Sequence, residues 1–252
     1  MAPNLRQWIT VISDATYFSD QALAPARRLQ RAGDWDAALR LVPDGVSGAV
    51  LRADILTDRH AWRLDPPHEA VEAAEAIAAE RPVYTQYLLA QLEYWRRLFK
   101  ADGEPLGPDP ADVFAQIEGQ VAPGWSVFWL GVSLENVRGD AVAAQAAYRR
   151  ALPAALDAHD LLLESYIVRH QAYYLLEQDR DAGLALLRRS LDLRAACGAR
   201  PHTAAAQAAL AEALESGPES VLLRRLVAHT AEELGLTWLK AEPEAAAADS
   251  AS

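Results

Sequence analysis

The feature that most constrains this chain is the regularity with which its helical pattern is interrupted. From Ala22 onward apolar residues recur with helical spacing, and each stretch is soon stopped by glycine, proline or aspartate: Gly33-Asp34, Pro43 to Gly45, Asp65 to Pro67, Arg81-Pro82, Ala101 to Pro110, Pro123-Gly124, Gly139-Asp140, Gln178-Asp179, Gly198 to Pro201 and Ser216 to Pro218. The best strand candidate, Trp8 to Ser13, is isolated. About a dozen helices joined by short connections make antiparallel neighbours, so the expected fold is all-α, a string of about six helical hairpins. The pattern predicts first helices over about 21–32, 47–64, 83–100, 124–137, 159–177 and 202–215. Second helices follow over about 35–42, 67–80, 110–121, 140–152, 180–197 and 218–234. A recurrence of this kind points to a repeat array. Residues 1–20 are expected to form an irregular cap, residues 21–240 the repeat domain, and the alanine-rich residues 241–252 a disordered tail.

Composition narrows the function. The 252 residues carry a formal net charge of −11, and Lys100 and Lys240 are the only lysines among 24 basic residues. Phosphate-backbone binding needs clustered basic residues, whereas the arginine pairs here fall at helix ends or wet faces, so no nucleic-acid partner is expected. No segment reaches the ~20 apolar residues of a membrane span, and the apolar stretch Trp8 to Ile12 is too short for a secretion signal. The expectation is a soluble cytoplasmic protein. Cys197 is the single cysteine, which excludes an internal disulfide and leaves no basis for a thiolate metal centre.

The stretch Arg138 to Leu152, RGDAVAAQAAYRRAL, places Ala144, Ala147 and Ala151 on one helical stripe with Tyr148 beside it. Small side chains let helices approach toward the short end of the ~8–10 Å interaxial range. With Leu130-Gly131 and Gly139-Asp140 before it, this stretch resembles a tetratricopeptide repeat. A weaker copy carries Asp179, Gly183, Leu187 and Ser190, and another carries Gly33-Asp34, Trp35 and Ala38. The resemblance implies an α-solenoid, a right-handed superhelix whose concave groove is lined by first helices. It also implies a binding module for a peptide, helix or protein tail. Pro153 is expected to end or kink the helix over 140–152.

No phosphate-loop, dinucleotide, zinc-protease or nucleophile-elbow motif occurs, so no catalytic residue and no cofactor is expected. Two polar-aromatic stripes on first helices are the candidate partner-binding surface: Tyr84, Tyr87, Gln91 and Tyr94, and Tyr166, Arg169, His170 and Tyr173. Tyrosine and arginine are the residue types that anchor protein recognition. Trp125 and Trp129 are a further pair expected near the groove. Asp54 and Asp58 share a helix face, but His60 points away from it, so they read as solvated charges paired with Arg52 and Arg59 and not as a metal site. Glu93 and Arg97 read as a surface pair. Two other functions fit the sequence. One is a small α/α-hairpin enzyme with a carboxylate/His cleft on a closed toroid; the other is the sensor or oligomerisation subunit of a bacterial regulator.

Overall fold

The computed structural model describes residues 21–240, and every regular element among them is a helix. The expected N-terminal cap and C-terminal tail lie outside the described residues. Thirteen helices run in order. The first six are α1 (Ala24–Ala32), α2 (Trp35–Arg40), α3 (Val46–Arg63), α4 (His68–Ala76), α5 (Pro82–Leu98) and α6 (Pro110–Gln116). Then come α7 (Trp125–Asn136), α8 (Ala141–Asp157), α9 (Leu161–Leu176), α10 (Arg180–Ala196), α11 (Arg200–Leu214), α12 (Pro218–Leu234) and the single turn α13 (Thr237–Lys240). Among these residues no helix is long and apolar enough to cross a membrane.

The stops read in the sequence act through identifiable groups. Asp34, Asp140 and Asp179, the aspartates of the repeat-like turns, each accept a bond from a first-turn amide of α2, α8 and α10, at 3.2, 2.9 and 3.0 Å. Each carboxylate thereby satisfies one of the orphan N–H groups at a helix start and complements the positive end of the dipole. Pro153 does not end its helix: it lies inside α8, which continues to Asp157. The helix forgoes one backbone bond there, while Ala151 and Ala155 on either side are fully buried and hold the segment by packing.

Consecutive helices pack in adjacent pairs, and the first members of successive pairs also touch: α3 meets α5, α5 meets α7, and α7 meets α9. Alanine sets these distances. Ala144, Ala147 and Ala151 are at most 2% exposed, and Tyr148 is fully buried beside them. Gly131 on α7 completes the fit. A Cβ at that position would stand 2.6 Å from Cε1 of Tyr148, so the ring packs directly on helix backbone.

The first and last described helices meet. Leu23, Ala26, Trp35 and Trp62 from the N-terminal helices share one apolar cluster with Ala204, Val227, Leu234, Leu236 and Leu239 from the last ones. Trp62 stacks on Trp238 at 5.4 Å, and Arg63 Nε donates to the backbone oxygen of Leu234. Gly33 sits in this seam. Its φ of 82° caps α1 in the left-handed conformation, and a Cβ there would lie 2.8 Å from Leu234 and 3.0 Å from Pro201. Helices that pack in adjacent pairs along the sequence thus have the last described pair beside the first.

Candidate functional site: the inner polar-aromatic surface

Both predicted stripes are held on α5 and α9, two members of the series α3, α5, α7 and α9 whose successive members touch. Tyr84 donates to Asp54 Oδ1 on α3. Tyr87 is buried edge-on to Phe114, and Tyr94 is buried against Trp129 while its hydroxyl accepts from Asn136 Nδ2 at 2.8 Å. Gln91 is half-buried. Tyr87 and Tyr94 are therefore walls of this surface and not groups a partner touches directly. Burial pushes the hydroxyl pKa of both tyrosines up, so both remain neutral donors.

On α9, Tyr166, Arg169, His170 and Tyr173 are all half-buried. Tyr166 packs edge-on to Trp125 and His202 and lies 5.1 Å from the Phe128 ring. Arg169 donates to the Tyr173 hydroxyl at 3.3 Å and lies over that ring. His170 belongs to a different group. Its Nδ1 lies 2.7 Å from Glu135 Oε2, and Glu135 also accepts from Tyr148 at 2.6 Å and from Tyr174. Because the carboxylate can only accept, Nδ1 carries the proton. Burial raises the Glu135 pKa, but His170 and the two tyrosines outweigh it and hold the group down at about 2. Burial likewise lowers the pKa of His170 in spite of its carboxylate partner. The second stripe therefore splits: Tyr166, Arg169 and Tyr173 stay together, and His170 turns to α7 and α8.

Three readings of charged residues change. Asp54 and Asp58 do not pair with Arg52 and Arg59. Asp54 accepts from Arg27 at 3.1 Å and from Tyr84, while Asp58 accepts from Trp35 Nε1, Trp62 Nε1 and Gln30 Nε2 at 2.9, 3.0 and 3.5 Å. Burial raises the Asp58 pKa to about 6, because three neutral donors do not fully replace hydration of the charged form. Asp58 thus ties α1, α2 and α3 together beside the seam, and His60 turns away to the backbone oxygen of Asp65. Glu93 is fully buried and not a surface group. It accepts from Arg96, Arg97 and the Leu106 amide; burial alone would raise its pKa, yet these donors hold it at about 2. It pins the long connection Ala101–Asp109 to α5.

Arg194 and His202 escaped the sequence reading. Arg194 on α10 is completely buried, donates to Ser165 Oγ at 3.1 Å and the His202 backbone oxygen at 2.9 Å, and lies 4.5 Å over the Tyr166 ring. The signal was present: Leu187, Ser190 and Arg194 follow Gly183 at i+4, i+7 and i+11, so the arginine continues the buried stripe of the second repeat-like copy. Trp125 and Trp129 are half-buried; the Trp125 Nε1 donates to Asp160 at 2.8 Å. Among the described residues no group of three or more His, Cys, Asp or Glu is arranged to hold a metal ion. No protein-family model, curated protein or solved structure matches the chain.

Proposed function

We propose that this chain is a tetratricopeptide-like binding module, an α-solenoid of six hairpins, and that its inner surface takes a protein segment or chain terminus. The observation that carries this reading is the grouping of half-buried Trp125, Trp129, Tyr166, Arg169 and Tyr173 on two neighbouring inner helices. Amphipathic rings and a guanidinium offer contact area and directed donors together, the combination found at recognition hot spots. The repeat-like turns, the alanine stripe and the Gly131–Tyr148 contact support the tetratricopeptide resemblance. Adaptor function in the cytoplasm, without chemistry, follows from the same reading.

Capture from a lysate of the source cells tests it, with wild-type protein beside an Arg169→Gln/Tyr173→Phe double variant of matched melting temperature. A protein retained by the wild type and released by the variant supports the reading. Equal capture by both, or capture by neither, refutes it.

The meeting of first and last hairpins favours a second reading, the closed α/α-toroid of glycoside-active enzymes. The carboxylate and imidazole would then be Glu135 and His170, 2.7 Å apart on inner helices. Turnover of an oligosaccharide panel that disappears in Glu135→Gln would replace the binding reading with this one.

A further inference from the structure

The charges around Tyr166 do not balance. Arg194 is completely buried, and Arg169 beside it has its Nε shielded from solvent, yet among the described residues neither guanidinium lies within ion-pair distance of a carboxylate. Arg194 lies over the Tyr166 ring and donates to the His202 backbone oxygen, Tyr166 packs edge-on to His202, and Arg169, one turn along α9 from Tyr166, lies over the Tyr173 ring. Ring stacking offsets part of the desolvation but supplies no counter-charge. Glu135, the carboxylate beside His170 one residue along from Arg169, has its oxygens taken by Tyr148, His170 and Tyr174. Asp58, whose field reaches Tyr166, is held by two tryptophans and Gln30. A further arginine, Arg31, adds its positive field at His202.

Three donors in this neighbourhood have no partner among the described residues: Arg169 Nε, Arg194 Nη2 and His202 Nδ1. They come from α9, α10 and α11. Buried donors without acceptors destabilise a fold by about 1–3 kcal/mol apiece, and more where the group is charged. His202 is 7% exposed and Arg194 not at all, so bulk water does not meet this demand. Burial, Arg194 and Arg31 push the His202 pKa well below its ordinary value, leaving a neutral ring that can present a proton at Nδ1.

We propose that Arg169, Arg194 and His202 form a binding site for an oxyanion of the phosphate class, inorganic phosphate or a phosphate monoester. Two guanidiniums match a dianion in charge, and donors from three separate helices suit oxygens arranged tetrahedrally better than the two coplanar oxygens of a carboxylate. Half-buried Tyr166, Arg169 and Tyr173 form the approach. This inference goes beyond the adaptor reading, because a free anion would fill the site with no protein partner present.

The test uses the whole chain and inorganic phosphate, with chloride at equal ionic strength as control and O-phosphoserine as a second arm. Calorimetry should show saturable binding of one phosphate per chain, together with a rise in melting temperature that chloride does not give. Arg169→Gln, at a half-buried position that leaves Arg194 in place, should weaken phosphate binding at least about tenfold. Tighter binding of phosphoserine would assign the site to a monoester; equal or weaker binding would assign it to the free ion. Absence of saturable binding of either probe, or a response unchanged in Arg169→Gln, would overturn the proposal.

Discussion

Replacing Asp58 by asparagine should change how folding responds to acid in a way that can be worked out beforehand. The carboxylate accepts from Trp35, Trp62 and Gln30, and burial raises its pKa from 3.8 to about 6. A carboxyl whose folded pKa is raised binds its proton more readily when folded, so this group favours folding increasingly as pH falls through 6 and no further below 3.8. Integrating the linkage between about pH 7.5 and about pH 5 gives a gain of about 1–1.5 kcal/mol from this side chain. Other groups oppose it. His60, His170 and His202 have lowered pKa values, so the unfolded chain takes up their protons first and acid destabilises the fold through them. The wild-type trend alone therefore does not isolate Asp58, but the difference between wild type and Asp58→Asn does. Asparagine keeps the shape and one acceptor oxygen while removing the titration. Urea unfolding of both proteins at the two pH values should show the wild type gaining about 1–1.5 kcal/mol relative to the variant on acidification. A gap that stays constant, or moves the other way, would refute the account of Asp58 as a buried carboxylate with only neutral partners.

Gly131→Ala places a methyl 2.6 Å from the Tyr148 ring; overpacking of about 1–3 kcal/mol exceeds the gain of up to about 1 kcal/mol in helix propensity, so the melting temperature should fall. Glu93→Gln removes the anion shared by Arg96, Arg97 and the Leu106 amide and should destabilise by about 2 kcal/mol near neutral pH. Because the Glu93 pKa is depressed from 4.5 to about 2, its contribution is present above 4.5 and lost as pH falls toward 2, so the two proteins should converge in acid. Leu234→Asp puts a charge in the seam between first and last hairpins; solution scattering should show a larger radius of gyration while circular dichroism retains the helix signal.

The backbone was legible in the sequence because its signals are local. Capping aspartates, glycines and prolines act within one turn, and α12 spans Pro218–Leu234, the range its flanking Gly217-Pro218 and Gly235 imply. The errors concern partners distant along the chain. Asp58 and Glu93 have charged neighbours one turn away, which suggests surface pairs, but the donors that decide their fate sit on Trp35 and Leu106. Pro153 misled for a related reason. A proline's local effect is to break a helix, and the packing of Ala151 and Ala155 that overrides it belongs to the tertiary structure. Periodicity puts each stripe on one face of α5 or α9, and that these helices line a groove is what the tetratricopeptide resemblance implies. Whether each member is wall or surface depends on which ring comes to rest beside it, as Phe114 does beside Tyr87.

Tertiary packing also explains which polar groups are buried. Large rings meet where one helix crosses another, as Tyr87 meets Phe114 and Phe128 meets Tyr166. Those rings are mostly tyrosine and tryptophan, each with a polar tip that needs a partner. Asp54, Asp58, Glu135 and Asp160 supply acceptors for Tyr84, Trp35, Trp62, Tyr148, Tyr174 and Trp125. Every one of these bonds joins an aromatic N–H or O–H to a carboxylate, and five of the six cross from one helix or turn to another. On α9 to α11 the balance reverses, with Arg169, Arg194 and His202 contributing donors and no carboxylate answering them. The three nitrogens left over on α9 to α11 include two guanidinium groups, a demand that a neutral hydroxyl does not make and that an acceptor arriving from outside the chain would answer.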